Sequence, residues 1–130
     1  MAMIKILLID DEVDFVKTLS KRLERRNFPS NVALDGEQAL QLVTNEVPDV
    51  VVLDLKMPGL SGQEVLRYLK KSNPDIQVII LTGHGSEQDR LETLFLGAYK
   101  YLEKPVKIDT LIQTILEAYQ ARKNREASQS

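Results

Sequence analysis

The sequence of 130 residues contains no cysteine. Disulfide frameworks and thiolate metal sites are therefore excluded. There is no basic excess: 17 Lys and Arg stand against 19 Asp and Glu, a formal charge of −2. That balance argues against direct binding of nucleic acid. No apolar run approaches the roughly 18 residues needed to span a membrane. The opening "MAMIKILLIDDE" turns acidic at once and lacks the n-region and cleavage site of a signal peptide. No internal repeat and no G-x-x-x-x-G-K-[ST] loop occurs, so the phosphate cradle of an ATPase is missing. These absences leave one cytoplasmic domain with an ordinary apolar share of 43%.

What is present alternates. "MIKILLID", "SNVALDG", "DVVVLDL", "IQVIILTG" and "YKYLEKP" read as strands, the third and fourth being continuous apolar runs of the kind buried on both faces. "EVDFVKTLSKRLERRN" reads as a helix, with Val16, Leu19 and Leu23 at helical spacing and basic residues toward its C-terminal end. "EQALQLVTNE" and "GQEVLRYLKKSN" are helices that stop before Pro48 and Pro74. Ser86 and Asp89 resemble a capping box opening "EQDRLETLFLGA", and Gly97 reads as its C-cap. Leu91, Leu94 and Leu96 are its core or interface apolars. "KIDTLIQTILEAYQARKNR" is the last helix, with a loss of apolar period after Tyr119 that predicts fraying into a polar tail. Alternation with short connections predicts an α/β fold: one parallel sheet with helices on both faces and right-handed crossovers.

In such a sheet every strand ends at the same rim, where ligands bind. The first strand delivers Asp10, Asp11 and Glu12 there, the third Asp54, the fourth Thr82, and the fifth Lys104 and Pro105. The second delivers only Asp35 and Gly36. Asp10, Asp11 and Asp54 stay ionised together only with a cation among them. All-oxygen ligands without Cys or His suit Mg²⁺ (or Mn²⁺). A cation with open positions, the Lys104 ammonium and the Thr82 hydroxyl are all able to hold phosphate oxygens, which places Asp54 as a nucleophile able to form an aspartyl phosphate. Glu12 is read instead as an acid of the first helical turn, favoured by the dipole. Taken singly, Thr82 would be a turn former, Lys104 a solvated cation, Tyr101 core packing and His84 a solvated loop imidazole. It is their convergence that carries the chemistry.

Four segments, "LLIDDE", "VVVLDLKMPGLSG", "IILTGHG" and "GAYKYLEKP", stand in the order and spacing of a known family. Over roughly residues 3–121 the chain resembles the receiver domain of two-component response regulators. The resemblance implies a flavodoxin-like (βα)5 doubly wound sheet of order 2-1-3-4-5, a receiver over 1–121, and residues 122–130 as polar tail or truncated linker. It implies Asp54 as phosphoacceptor, taking its group from the phosphohistidine of a sensor histidine kinase or histidine phosphotransfer protein. It implies Asp11 as direct Mg²⁺ ligand, Asp10 acting through water or assisting the metal, Asp54 and the Lys56 backbone carbonyl as further ligands, Lys104 as phosphate-binding lysine, and Thr82 and Tyr101 as switch pair. The Lys104–Pro105 bond is expected to be cis. Lys56 and His84, each two residues past a rim residue, are expected to flank the phosphate. The surface from residue 86 to 120, with Arg90, Glu92, Lys100, Glu103, Lys107 and Asp109, is expected to pair with a second copy or a partner. A receiver is not a turnover enzyme, since it assists only its own phosphorylation and dephosphorylation.

Rival readings fit less well. A haloacid-dehalogenase phosphatase needs a second Asp two residues after the nucleophile, where Lys56 stands. A flavodoxin-type FMN site needs a Ser/Thr/Gly-rich loop where Asp10, Asp11 and Glu12 stand. A degenerate receiver, acting as an interaction module without phosphorylation, is the remaining alternative.

Overall fold

The apolar runs become the strands of one sheet. A computed structural model describes residues 3–129. In chain order its elements are β1 (Ile6–Ile9), α1 (Val13–Arg25), β2 (Ser30–Ala33), α2 (Gly36–Asn45), β3 (Val50–Leu53), α3 (Gly62–Ser72), β4 (Gln77–Thr82), α4 (Glu87–Phe95), β5 (Lys100–Glu103) and α5 (Ile108–Gln129). All neighbouring strands pair in parallel, in the order β2-β1-β3-β4-β5, as the resemblance implied. The five-strand, five-helix architecture is flavodoxin-like.

Pleating sorts the strand side chains into two cores. Leu7, Ile9, Val51, Leu53, Val78 and Ile80 face one side with α3 residues Val65, Leu66 and Leu69. Ile6, Leu8, Val50, Val52, Ile79 and Leu81 face the other with Val16, Leu19 and Leu23 of α1 and Leu111, Ile115 and Ala118 of α5. Burying each large aliphatic side chain contributes about 1.5–3 kcal/mol. Central strands β1 and β3 are buried on both faces, which is why they read as unbroken apolar runs, whereas edge strands β2 and β5 keep polar residues exposed.

Helix starts follow local chemistry. Asp35 accepts from the Gln38 amide at α2. Ser61 with Glu64, and Ser86 with Asp89, form complete capping boxes at α3 and α4. Gly97 takes a positive φ of 106° just past α4, the left-handed closure expected of a C-cap.

One expectation changes. The chain does not fray after Tyr119, because α5 continues to Gln129. Its buried stripe runs Leu111, Ile115 and Ala118, and the next inward position is Arg122. Arg122 lies 2.6 Å from Asp49, and Arg125 lies 3.8 Å from Asp75. Ion pairing to the loops before β3 and β4 takes over where the apolar period ends, so hydropathy alone misses the extension.

Candidate functional site

The hydrogen-bond ladder runs one residue past the strands, fixing the backbone of the rim. Asp10 N–H donates to Ala33 O (3.1 Å), Asp54 N–H to Ile9 O (3.0 Å) and Lys104 N–H to Thr82 O (3.0 Å). The peptide bond from Lys104 to Pro105 is cis, as expected.

These residues converge. The Lys104 ammonium donates to Asp10 Oδ2 at 2.7 Å and Glu12 Oε1 at 2.9 Å, and stands 3.7 Å from Asp54 Oδ2. It also lies over the Phe15 ring, 4.2 Å from the centroid. Asp54 is only 5% exposed, although it is a carboxylate. Its Oδ1 accepts the Leu55 amide at 2.8 Å, which leaves Oδ2 toward the lysine. One carboxylate oxygen each from Asp10, Glu12 and Asp54 lies within 4.8 Å of the others. Three carboxylates around one ammonium leave an uncompensated negative charge, and the donors are all oxygen. That chemistry fits a hard divalent cation.

The ionisation equilibria reflect this crowding. Burial pushes the Asp10 carboxyl above its usual range, against the Lys104 ammonium and the Glu12 amide. The Lys104 hydrogen bond holds Glu12 below its ordinary value, with His84 adding a smaller pull. Burial works to lower Lys104, yet bonds from Asp10 and Glu12 raise it overall.

Glu12, rather than Asp11, pairs with the Lys104 ammonium. It is the residue before α1 rather than a first-turn acid, and its amide donates to Asp10 Oδ1 at 2.9 Å. That tight turn folds the chain back, so the Glu12 carboxylate reaches Lys104. Asp11, expected as the direct cation ligand, is half-buried beside this turn and is not in the converging group among the described residues. Lys56 is exposed beyond Asp54, and its side chain pairs with none of the rim carboxylates among the described residues. It lines a depression of about 490 Å³ with Met57, Ser61, Gln63 and Asp89.

Thr82 is fully buried, and its hydroxyl oxygen is 3.5 Å from the donating His84 amide. The His84 side chain is exposed. Tyr101 turns inward: its hydroxyl is buried without a hydrogen-bond partner among the described residues. Outside it, Arg90, Leu94, Tyr99, Lys100 and Tyr101 line a depression of about 460 Å³. Leu94 and Leu96 pack on the core, while Leu91 is exposed and Phe95 is 91% exposed. Of the mixed charges on this face, Arg90 is held by Glu87 and Asp109 by Arg26.

A glycine supports Asp54 from behind. A Cβ on Gly62 would stand 2.4 Å from Asp54 O and 2.5 Å from Leu55 Cα. Both atoms are backbone, so neither swings aside. Gly62→Ala is expected to cost about 1–3 kcal/mol through overpacking and to displace Asp54. Chemical denaturation measures this, and an unchanged midpoint would show that the loop yields freely.

Comparison with known proteins points one way. The family described as "Response regulator receiver domain" matches residues 6–116. The chain is 37% identical over 109 residues to the response regulator MprA of Mycobacterium sp. (strain KMS), covering 84% of this chain and 47% of that protein. It is 39% identical over 126 residues to the probable transcriptional regulator ycf27 of Guillardia theta, covering 97% and 49%. Among solved structures, a response regulator receiver domain protein from Clostridium thermocellum superposes with a TM-score of 0.88 at 37% identity, covering 93% of this chain and 98% of that one. NtrX from Brucella abortus gives 0.90 at 32% identity, covering 98% of this chain and 29% of that one. The chain spans about half the length of the curated relatives it matches.

Proposed function

The chain belongs to the response regulator receiver domain family, and from that premise we propose that Asp54 accepts a phosphoryl group from the phosphohistidine of a sensor histidine kinase or histidine phosphotransfer protein. The observation that carries this reading is the Lys104 ammonium, shared between Asp10 and Glu12 and 3.7 Å from a buried Asp54. A strand-end carboxylate held out of water is costly to keep, and one hydrogen bond to the Leu55 amide does not require it to be charged.

The geometry divides the labour. The Leu55 amide fixes Asp54 Oδ1 and leaves Oδ2 free to attack phosphorus. A P–O bond forms, the P–N bond breaks, and the imidazole departs with the electron pair and takes up a proton. Lys104 exchanges a carboxylate partner for a phosphoryl oxygen. The oxygen-only set of Asp10, Glu12 and Asp54, with Asp11 and the Lys56 carbonyl adjoining, would hold Mg²⁺ or Mn²⁺. Such an ion, when bound, neutralises charge on the phosphoryl oxygens. The Thr82 hydroxyl then donates to the new group, and its loop draws in with Tyr101 to remodel the face of α4, β5 and α5. Leu91 and Phe95 on that face are suited to a second copy or a protein partner.

The first test is intact mass after incubation with Mg²⁺ and acetyl phosphate. A gain of one phosphoryl group that requires the cation supports the reading. An unchanged mass, under conditions that label a known receiver, contradicts it. Lys56 and His84 are expected to shape water access to the phosphoaspartate. Alanine at each alters its lifetime by severalfold, of the order of 1 kcal/mol in the hydrolysis barrier. Lifetimes equal to the parent's would remove both side chains from the site.

A further inference from the structure

The loop between β4 and α4 contains a seat for an aromatic hydroxyl. Tyr101 reaches it from β5, and its hydroxyl oxygen is buried there without a hydrogen-bond partner among the described residues. Gly85 lies directly against it. A Cβ on Gly85 would stand 1.5 Å from that oxygen, 2.8 Å from Tyr101 Cζ and 2.9 Å from Thr82 Cγ2.

Gly85 is not needed for its torsion. Among the described glycines only Gly59 and Gly97 have positive φ. The backbone at position 85 therefore admits any residue, and what glycine supplies is volume. An overlap of this depth exceeds what small shifts absorb, since real side-chain carbons sit about 3.5–4.0 Å from their neighbours. The tyrosine ring is rigid, so relief requires rotation about χ1. Space for the rotated ring exists in the depression of about 460 Å³ beside Arg90, Leu94, Tyr99 and Lys100. The inward hydroxyl forgoes a hydrogen bond that solvent would provide outside. That deficit works against the gain from burying the ring.

We propose that Gly85 is a positioning residue that admits the Tyr101 hydroxyl to its seat beside Thr82, so that occupancy of position 85 decides whether the tyrosine lies inward or outward. Coupling of that choice to phosphorylation rests on the receiver reading above. Tyr101 forms part of both the seat and the output face, and Thr82 forms part of both the seat and the phosphorylation rim.

The test uses the full chain and NMR. In the parent, Tyr101 ring protons show cross-relaxation with the Thr82 methyl and the Gly85 amide. The phenol also ionises above its ordinary value, because burial and the Asp89, Glu103 and Glu87 carboxylates disfavour the phenolate. In Gly85→Ala these cross-peaks are lost and the ionisation returns toward the ordinary value of about 10. Asp54 is still phosphorylated by acetyl phosphate to a comparable extent, but the phosphorylation-induced amide shifts in β5 and α4 shrink. Persistence of the cross-peaks in Gly85→Ala overturns the proposal. Tyr101→Phe serves as a second variant should Gly85→Ala fail to fold. It keeps the inward ring and does not lower the melting temperature, since the hydroxyl it removes is unpaired. A fall of several degrees would show a partner for that hydroxyl and overturn the seat. Failure of the parent to take up phosphate overturns the receiver reading and the coupling, while the cross-peaks decide the seat independently.

Discussion

Asp54→Asn is expected to abolish phosphoryl uptake without lowering stability. The amide keeps an oxygen for the Leu55 N–H, so the 2.8 Å bond that shapes the turn survives. What disappears is the nucleophilic charge, and an uncharged amide oxygen does not form the acyl phosphate. Stability moves the other way. In the parent, three carboxylates share 4.8 Å of space with one ammonium. Removing one negative charge relieves repulsion between Asp54 and Asp10, while Lys104 keeps its two shorter bonds, at 2.7 and 2.9 Å. Thermal unfolding without divalent cation is therefore expected to show a midpoint equal to or above the parent's. A midpoint several degrees lower would mean that Asp54 is a structural residue and that its burial is a matter of folding.

Lys104→Met carries the largest expected loss of stability. The Lys104 side chain is 11% exposed, and its closest partner, the Asp10 carboxylate, is 7% exposed. Removing the cation strands a buried anion, a change that costs about 3–5 kcal/mol where one partner of a buried pair is deleted. The cost depends on pH. Burial raises the Asp10 carboxyl in the folded parent, and loss of Lys104 removes the main influences opposing that rise. Between the unfolded value and the raised folded value, the folded state binds a proton that the unfolded state has released. Stability accordingly falls as pH rises through that window. Glu12, held low in the parent by Lys104, contributes stability that is lost as pH falls through its folded value. Both effects narrow the gap between parent and variant in acid. Denaturation at neutral pH and near pH 4 is expected to show a large deficit shrinking to a small one. A deficit equal at both values would show that Lys104 acts through its packing over Phe15 rather than its charge.

How much of this was legible in the residues depended on what each residue's neighbours are. The sheet was, because β1 and β3 are apolar throughout and β4 is apolar between Gln77 and Thr82, and local signals such as Pro48, Pro74 and the capping residues mark the helix ends between them. The pairing of Asp54 with Lys104 was also readable, since a parallel sheet delivers all its strand ends to one rim. The pairing of Glu12 with Lys104 was not legible, because it depends on a turn held by the Asp10 side chain and on a lysine 92 residues away. The end of α5 was misread because Arg122 fills an inward position through Asp49, far off in sequence. Gly62 and Gly85 carried no local sign of their importance. Each is defined by atoms it must not touch, and those belong to Asp54 and Leu55, just past β3, in one case and to Tyr101 and Thr82 in the other.

The central claim is that phosphate arrives on one named carboxylate, and borohydride trapping tests it most directly. The phosphorylated chain is reduced, which converts an acyl phosphate to an alcohol, and then digested and sequenced by mass. The expected product is homoserine at position 54 and at no other. Homoserine at Asp10 or Asp11, hydroxynorvaline at Glu12, or a phosphate that survives acid on Ser61, would contradict the assignment of Asp54 as the acceptor.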